Sequence, residues 1–171
     1  MASPSGPSSA GKKANILPPV NVIATIKKVM ADLENLAEQR SVDVELARSF
    51  EEAQVGGTPQ ALADVLQNII WNAMEASQPG GLVRISIHER GDNVVIDISD
   101  DGSGIPREHL SKIFQAGYTT KKGSAGMGLN VVERRLGELL GSVVWQSPLN
   151  HGRGTRFTLT LPTVSPSTDP K

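Results

Sequence analysis

The stretch from residue 59 to residue 76 is the part of the sequence that most narrows the choice of fold. Its apolar residues recur at helical spacing along one face: Leu62, Val65, Leu66, Ile69, Ile70, Ala73 and Ala76. Thr58 and Pro59 supply the cap and the first-turn proline of this helix, and the proline- and glycine-rich run 77–81 ends it. We interpret the rest of the chain as the structure that houses this helix.

A polar stripe adjoins the apolar face of this helix. Asp64, Asn68, Asn72 and Glu75 follow one another at spacings of 4, 4 and 3 residues, with Asn72 at the seam between core and solvent. A carboxamide oxygen at such a seam could bind Mg²⁺, which takes few protein ligands when substrate phosphates complete its shell. The alternative is that the two asparagines are only solvated or capping amides, and the downstream sequence decides between the two interpretations.

Composition and length bound the possible function classes. The 171 residues predict one domain, and a net charge of -1 argues against a nucleic-acid or membrane partner selected by bulk electrostatics. No apolar run is long enough for a membrane span, and the N-terminus lacks the apolar core of a signal peptide. The chain has no cysteine, and its three histidines have no metal-ligand spacing. A cytoplasmic location is the simplest interpretation.

The ends of the chain differ in composition from its middle. Residues 1–15 are dominated by Ser, Pro, Gly and Ala and predict a flexible leader, and residues 163–171 predict a similar polar tail. The folded domain is therefore expected over residues 16–162. Within it, Asn21 is placed to cap a helix from about 22 to 39, followed by strands near 42–47 and 53–55. The expected buried stripe of that helix is Ile23, Ile26, Val29, Met30, Leu33 and Leu36.

Alternating residues over 83–88 and 94–98, with a turn at 91–93, predict a β-hairpin. His88 falls on the outer face, whereas Asp100 is in phase with the buried residues and must find hydrogen-bond donors. The glycines of the run Asp100-Asp101-Gly102-Ser103-Gly104-Ile105 allow backbone to approach a ligand closely, although ordinary turns use the same residues. An inward carboxylate beside glycines is what an adenine pocket needs, because it accepts from the exocyclic amine.

Two further segments point to a ligand. Residues 107–127 contain little that could pack, which is typical of a functional lid. They end in a glycine-rich run that opens a helix with Leu129, Val132, Leu136 and Leu139 buried, and such a helix start can bind an anion or serve only as a hinge. Strands near 143–147 and 155–161 complete the chain, and their parity places Thr155 at the inner edge of the sheet.

Four segments, in this order, resemble the ATP-binding catalytic domain of bacterial sensor histidine kinases, in the superfamily of gyrase, Hsp90, histidine kinases and MutL. Residues 68–73 resemble its N box, residues 100–104 its first glycine box, residues 114–121 its F box and residues 126–129 its second glycine box. The resemblance covers residues from about 20 to 162. It implies an α/β fold, a two-layer sandwich of about three helices packed on a mixed sheet of about five strands, with an ATP lid.

The resemblance also implies ATP and Mg²⁺ as cofactors and assigns roles to particular residues. Asn72 would carry Mg²⁺, Asn68 would support the phosphates, and Lys121 would act as a lid cation near the γ-phosphate. Asp100 would bind adenine beside Gly102, Gly104 and Ile105, with Thr155 behind it. The N–H groups of Gly126, Met127, Gly128 and Leu129 would hold the phosphates.

The residue at position 68 bears on the reaction. In hydrolytic and serine-kinase members, a glutamate general base lies four residues before the metal-binding asparagine, but Asn68 cannot accept a proton. A neutral imidazole already has a free lone pair near pH 7, so transfer to histidine is favoured. Two alternatives remain: a stand-alone switch ATPase or serine-kinase regulator, and a non-catalytic nucleotide-sensing module.

The resemblance further implies the partners of this domain. We expect a dimerisation domain with the histidine phosphoacceptor, upstream in a longer chain or acting in trans, and a response regulator. We expect no nucleic-acid partner and no direct membrane contact, and the domain by itself is expected to be a monomer.

Overall fold

The computed structural model describes residues 17–48, 53–118, 128–149 and 151–164. Its elements in chain order are β1 (Pro19–Asn21), α1 (Val22–Arg40), β2 (Asp43–Arg48), β3 (Gln54–Gly56), α2 (Pro59–Ala76), β4 (Leu82–Arg90), β5 (Asn93–Asp100), α3 (Arg107–Leu110), α4 (Gly128–Glu138), β6 (Ser142–Gln146) and β7 (Thr155–Pro162). The main sheet has the strand order β2-β4-β5-β7-β6, with β2 parallel to β4 and the other pairs antiparallel. The predicted α/β sandwich with a mixed five-stranded sheet is confirmed.

Both long helices begin at the predicted caps. Asn21 Oδ1 accepts from the Ala24 N–H at 2.8 Å to start α1, and Thr58 Oγ1 accepts from the Ala61 N–H at 3.1 Å to start α2. The predicted buried face of α1 is wrong at Leu36, which is 36% exposed. The core-facing stripe of this helix continues through a small residue instead: Val22, Ile23, Thr25, Ile26, Val29, Leu33 and Ala37.

The β4–β5 hairpin has the predicted parity. Ile85 pairs with Ile98 and Ile87 with Ile96, and all four side chains are buried under α2 and its neighbours in one core cluster. His88 lies on the opposite face, where its Nδ1 is 3.7 Å from an Asp97 carboxylate oxygen. The same alternation brings the last residue of β5 to the inner side of the sheet, beside the first residue of β7.

The segment after β5 packs more than its sequence indicates. Residues 107–118 contain the short helix α3, and Ile113 and Phe114 are half-buried against the core. The Phe114 ring lies 4.7 Å from the Trp145 ring and 6.4 Å from the Phe157 ring, measured between centroids. The expectation that this segment packs little is therefore wrong for 107–118, and the remainder of the predicted lid, 119–127, lies outside the described residues.

A second, two-stranded sheet pairs β1 with β3 antiparallel. The chain returns to it beyond β7, because Thr163 forms an antiparallel bridge with Val55 and the Val164 N–H donates to Gln54 O at 3.1 Å. The Thr163 N–H also donates to Asp92 O in the β4–β5 turn at 2.9 Å. Main-chain hydrogen bonding thus continues two residues past 162. No helix in the described ranges has the length and apolar character needed to cross a membrane.

Candidate functional site

A cavity of about 410 Å³ opens between α2 and the first turn of α4. Of the residues predicted to bind a ligand, those that line it are Asn72, Asp100, Gly104, Ile105, Gly128, Leu129 and Thr155. Asn68 and Gly102 lie next to the cavity but do not line it. Lys121, Gly126 and Met127 lie outside the described residues. The fold therefore gathers into one site residues that are far apart in the sequence.

One end of the cavity is built around a buried carboxylate. Asp100 is 7% exposed, and its Oδ1 accepts from the Gly102 N–H at 2.9 Å. Burial raises the pKa of Asp100 to about 6, although hydrogen bonds from the backbone of Gly102 and Thr155 act in the opposite direction. The cavity thus contains an acceptor that is largely ionised at pH 7 but loses its charge in mildly acidic solution.

This pKa predicts how the stability of the ligand-free protein varies with pH. Because the folded-state pKa of Asp100 is raised, protonated Asp100 favours the folded state, and that contribution is lost as pH rises through about 6. We expect the free energy of unfolding to fall by up to about 3 kcal/mol through this group between pH 4 and pH 7. Chemical unfolding of the wild type and Asp100→Asn at several pH values tests this. Identical pH profiles for the two proteins would contradict the prediction.

Ser147, which has no signal in the sequence, organises the same end of the cavity. Its Oγ accepts from the Ile105 N–H at 2.7 Å and lies 3.0 Å from Thr155 Oγ1 and 3.2 Å from Gly154 O. The hydroxyl therefore ties the loop after β5 to the start of β7. Ser147 and Ile105 are separated by 42 positions in the chain, so only the folded topology brings them together.

The two glycines of the loop after β5 have different reasons for being glycine. Gly104 lines the cavity and has a φ of +74, a backbone conformation that residues with a side chain rarely adopt. The sequence predicts that Gly102 approaches a ligand, whereas the structure places it against the end of α2. A Cβ atom at position 102 would lie only 2.4 Å from Ala76 O. Gly102 therefore allows close packing of two protein segments.

The other end of the cavity faces the amide stripe of α2. A Cβ atom at position 128 would lie 3.2 Å from Asn68 Oδ1 and 3.6 Å from Asn72 Nδ2, so both amides face the first residue of α4. Asn68 Nδ2 donates to Asp64 O at 2.7 Å, which leaves its oxygen directed toward α4. Because α4 begins here, its first N–H groups and the positive end of its dipole lie at this end of the cavity.

This end of the cavity suits a hard cation that is coordinated mainly by water and by ligand oxygens, with few ligands from the protein. Within the described ranges, no group of three or more His, Cys, Asp or Glu side chains could hold a metal ion. A cation beside Asn72 would therefore depend on the amide oxygen together with oxygens from water and from a ligand, as Mg²⁺ commonly does.

Several lining residues were not predicted as site residues. The Tyr118 hydroxyl hydrogen-bonds to His109 Nδ1, and both side chains form the wall opposite α2. Glu75 lines the cavity from α2, and its carboxylate lies 3.7 Å from Arg40. Arg40 in turn lies over the Trp71 ring, 4.9 Å from its centroid, so Trp71 packs toward the end of α1. The polar stripe of α2 identifies Glu75 in the sequence, but nothing there pairs His109 with Tyr118.

Comparison with known proteins gives consistent matches. A family model described as histidine kinase-, DNA gyrase B- and HSP90-like ATPase matches residues 57–165. The chain is 33% identical over 138 residues to sensor protein DegM of Bacillus sp. (strain B21-2), covering 81% of this chain and 36% of that protein. It is 30% identical over 147 residues to sporulation kinase C of Bacillus subtilis (strain 168), covering 83% and 34%. The chain thus spans about a third of the length of these curated relatives.

Solved structures show the same architecture. The catalytic domain of histidine kinase ThkA, in a nucleotide-free form, superposes with a TM-score of 0.76 at 25% identity, covering 85% of this chain and 94% of that one. The mycobacterial sensor histidine kinase MprB superposes with a TM-score of 0.75 at 24% identity, covering 86% and 98%. Each superposition covers about 85% of this chain and more than 90% of the other.

Proposed function

The chain belongs to the histidine kinase-, DNA gyrase B- and HSP90-like ATPase family, and we propose that it binds Mg-ATP and donates the γ-phosphoryl group to a histidine on a separate dimerisation and acceptor domain. The observation that carries this proposal is the cavity between α2 and α4. It has an inward carboxylate at one end and two amides facing a helix start at the other. Its two ends thus suit the two ends of an adenine nucleotide.

The carboxylate end suits the purine. Asp100 accepts a hydrogen bond from the exocyclic amine of adenine, Thr155 supports it from β7, and Gly104 and Ile105 border the ring. All four residues line the cavity, and Asp100 is the one carboxylate among them. A buried ionised acceptor that meets a ligand donor gives both affinity and selectivity for the base, because a base without that amine leaves one acceptor position of the carboxylate unsatisfied.

The helix end suits the phosphates. The N–H groups of Gly128 and Leu129, together with those of Gly126 and Met127, bind phosphate oxygens where the dipole of α4 favours negative charge. Lys121 adds a cation near the γ-phosphate. Asn72 would hold Mg²⁺, which when bound would supply positive charge to neutralise the phosphates.

The presence of an amide at position 68 favours histidine as the acceptor of the phosphoryl group. A water molecule or a serine hydroxyl needs a general base to become an effective nucleophile, and an amide cannot accept that proton. Asn68 Nδ2 already donates to Asp64 O, which fixes the amide with its oxygen toward the first residue of α4. Neutral imidazole attacks without losing a proton first. This argument favours phosphoryl transfer to histidine over a switch ATPase or a serine-kinase regulator.

The proposed partners follow from the proposed reaction. Histidine kinase ThkA has been solved in complex with response regulator protein TrrA, which supports a response regulator as the final acceptor for this chain. We assign residues 1–15 to a leader and 16–162 to the catalytic domain, whose main-chain hydrogen bonds extend to Val164, so the tail predicted over 163–171 begins after that residue. Because ATP is the phosphoryl donor, we place the domain in the cytoplasm, as a monomer that meets its acceptor domain in the same or another chain.

Phosphoryl transfer can be tested with γ-labelled ATP, Mg²⁺ and a separately supplied dimerisation and acceptor domain that carries the phosphoacceptor histidine. We expect label on the acceptor in an acid-labile, base-stable bond, and no label when the acceptor histidine is changed to glutamine. Multiple-turnover hydrolysis without transfer would favour the switch ATPase. An absence of nucleotide binding would favour the non-catalytic module.

The role of Asn72 predicts a dependence on the metal. Asn72→Ala is expected to weaken Mg-ATP binding about tenfold or more, while ADP binding without Mg²⁺ changes by less than about threefold. Isothermal titration calorimetry with both ligands measures the difference. Gln67→Ala, an exposed change on the same helix, is the matched control. Equal losses for the two ligands would rule out the metal role of Asn72.

A further inference from the structure

An ion pair joins α2 to α4 away from the cavity. Arg135 Nη2 lies 2.8 Å from Asp64 Oδ2, and the two side chains are 29% and 20% exposed. Arg135 Nη1 also donates to the Glu138 carboxylate at 2.9 and 3.1 Å. The Arg135 Nε is buried and has no hydrogen-bond partner among the residues that the structure describes, and the two carboxylates hold the guanidinium in place.

The residue that Arg135 contacts is connected to the amide stripe. Asp64 lies one turn before Asn68 on α2, and its main-chain oxygen accepts from Asn68 Nδ2 at 2.7 Å. Its carboxylate also accepts from Gln60 Nε2 at 2.7 Å, which fixes the orientation of the Asp64 side chain. Any shift of Asp64 relative to α4 therefore also shifts the amide of Asn68.

The two helices run in opposite directions at this contact. Asp64 faces Arg135, and one turn further along α2 the Asn68 amide faces Gly128, about two turns earlier on α4. The ion pair thus lies about one turn of α2 away from the place where the first turn of α4 faces the amides. The carboxylate end of the cavity is built on β5 and β7 and has no connection to Arg135 through the contacts described.

We propose that Arg135 is a positioning residue for the phosphate end of the cavity. Its ion pair with Asp64 fixes the separation between the first turn of α4 and the amides of α2, and therefore how well the helix start and Asn72 hold a Mg-triphosphate together. The adenine end is independent of this separation. The inference rests on the proposed function, because it concerns the binding of the same nucleotide.

Arg135→Ala is expected to weaken Mg-ATP binding about tenfold and to change adenosine binding by less than about twofold. Asp64→Ala is expected to give the same pattern, and the double variant to lose no more than either single variant, because both remove one interaction. Arg134→Ala, an exposed change on α4, is the control and is expected to bind both ligands like the wild type. Calorimetry gives the Mg-ATP affinities, and an NMR titration gives the weaker adenosine affinities.

A variant with the charges exchanged tests the ion pair itself. Asp64→Arg combined with Arg135→Asp is expected to recover at least half of the lost Mg-ATP binding energy, whereas each single reversal is expected to bind worse than the alanine variants. Equal losses for Mg-ATP and adenosine, additive losses in the double alanine variant, or wild-type affinity in Arg135→Ala would each overturn the positioning role while the proposed function stands. A wild-type protein that binds neither ligand would overturn both.

Discussion

Asp100→Asn is expected to lower the affinity for ATP and for ADP by about 100-fold or more. Asp100 is buried at the inner end of β5 and lines the cavity. Asparagine has nearly the same shape, and its carbonyl oxygen can still accept from the Gly102 N–H. Its amide group, however, then directs a donor at the donor of the adenine amine. A buried charge-assisted hydrogen bond is replaced by two facing donors, which costs about 2–4 kcal/mol.

Calorimetry with ATP and ADP, each with and without Mg²⁺, checks this prediction. The loss is expected to be the same for all ligands, because the proposed contact of Asp100 with the ligand is to the base alone. Asp97→Asn is the matched control, since Asp97 lies on the same strand but on the outer face of the sheet, where its carboxylate bonds to Thr158. Nucleotide affinity within about threefold of the wild type in Asp100→Asn would remove the assignment of this end to adenine.

Gly102→Ala is expected to destabilise the fold strongly. The added Cβ atom would meet Ala76 O at 2.4 Å and the Ala76 carbonyl carbon at 2.6 Å. Both atoms belong to the last residue of α2, which cannot move aside as a flexible side chain could. The Gly102 carbonyl also accepts from the Gly154 N–H at 2.8 Å, so a shift of the loop would break a second contact. We expect the free energy of unfolding to fall by about 3 kcal/mol or more.

Chemical unfolding of purified Gly102→Ala against the wild type tests this expectation. Gly137→Ala is the control, because a Cβ atom at that helical position would meet nothing within 4 Å. There the change is expected to stabilise the protein by about 0.5–1 kcal/mol, since alanine loses less backbone entropy in a helix. If Gly102→Ala unfolds at the same denaturant concentration as the wild type, the close contact with α2 does not constrain the fold.

The parts of the site that the sequence predicts depend on strict local repeats. The alternation along β4 and β5 determines which residues face the core, so the inward position of Asp100 follows from residue count alone. The same holds for Thr155 at the start of β7. Helical spacing likewise places Asn68 and Asn72 on one stripe of α2. These local rules predict the face a side chain lies on, and the fold then brings the faces together.

The parts that the sequence does not predict depend on contacts between distant segments. Ser147 accepts from the Ile105 N–H only because β6 pairs with β7 and β7 pairs with β5. Arg135 meets Asp64 only because α4 runs antiparallel to α2. The buried position of Ala37 in place of Leu36 is a small rotation of the stripe of α1, set by packing rather than by hydrophobicity. A three-residue strand such as β1 has too few positions to show an alternation.

The intrinsic fluorescence of the two tryptophans can report on two different parts of the protein. Trp145 is 37% exposed on β6 and lies against the Phe114 ring, which belongs to the segment that also supplies Ile113 to the cavity wall. Trp71 lies on α2 under the Arg40 guanidinium, at the junction with α1. The sequence contains no other tryptophan. Emission from a Trp71→Phe protein therefore reports on the segment around Phe114 without any attached dye, and emission from a Trp145→Phe protein reports on the helix pair.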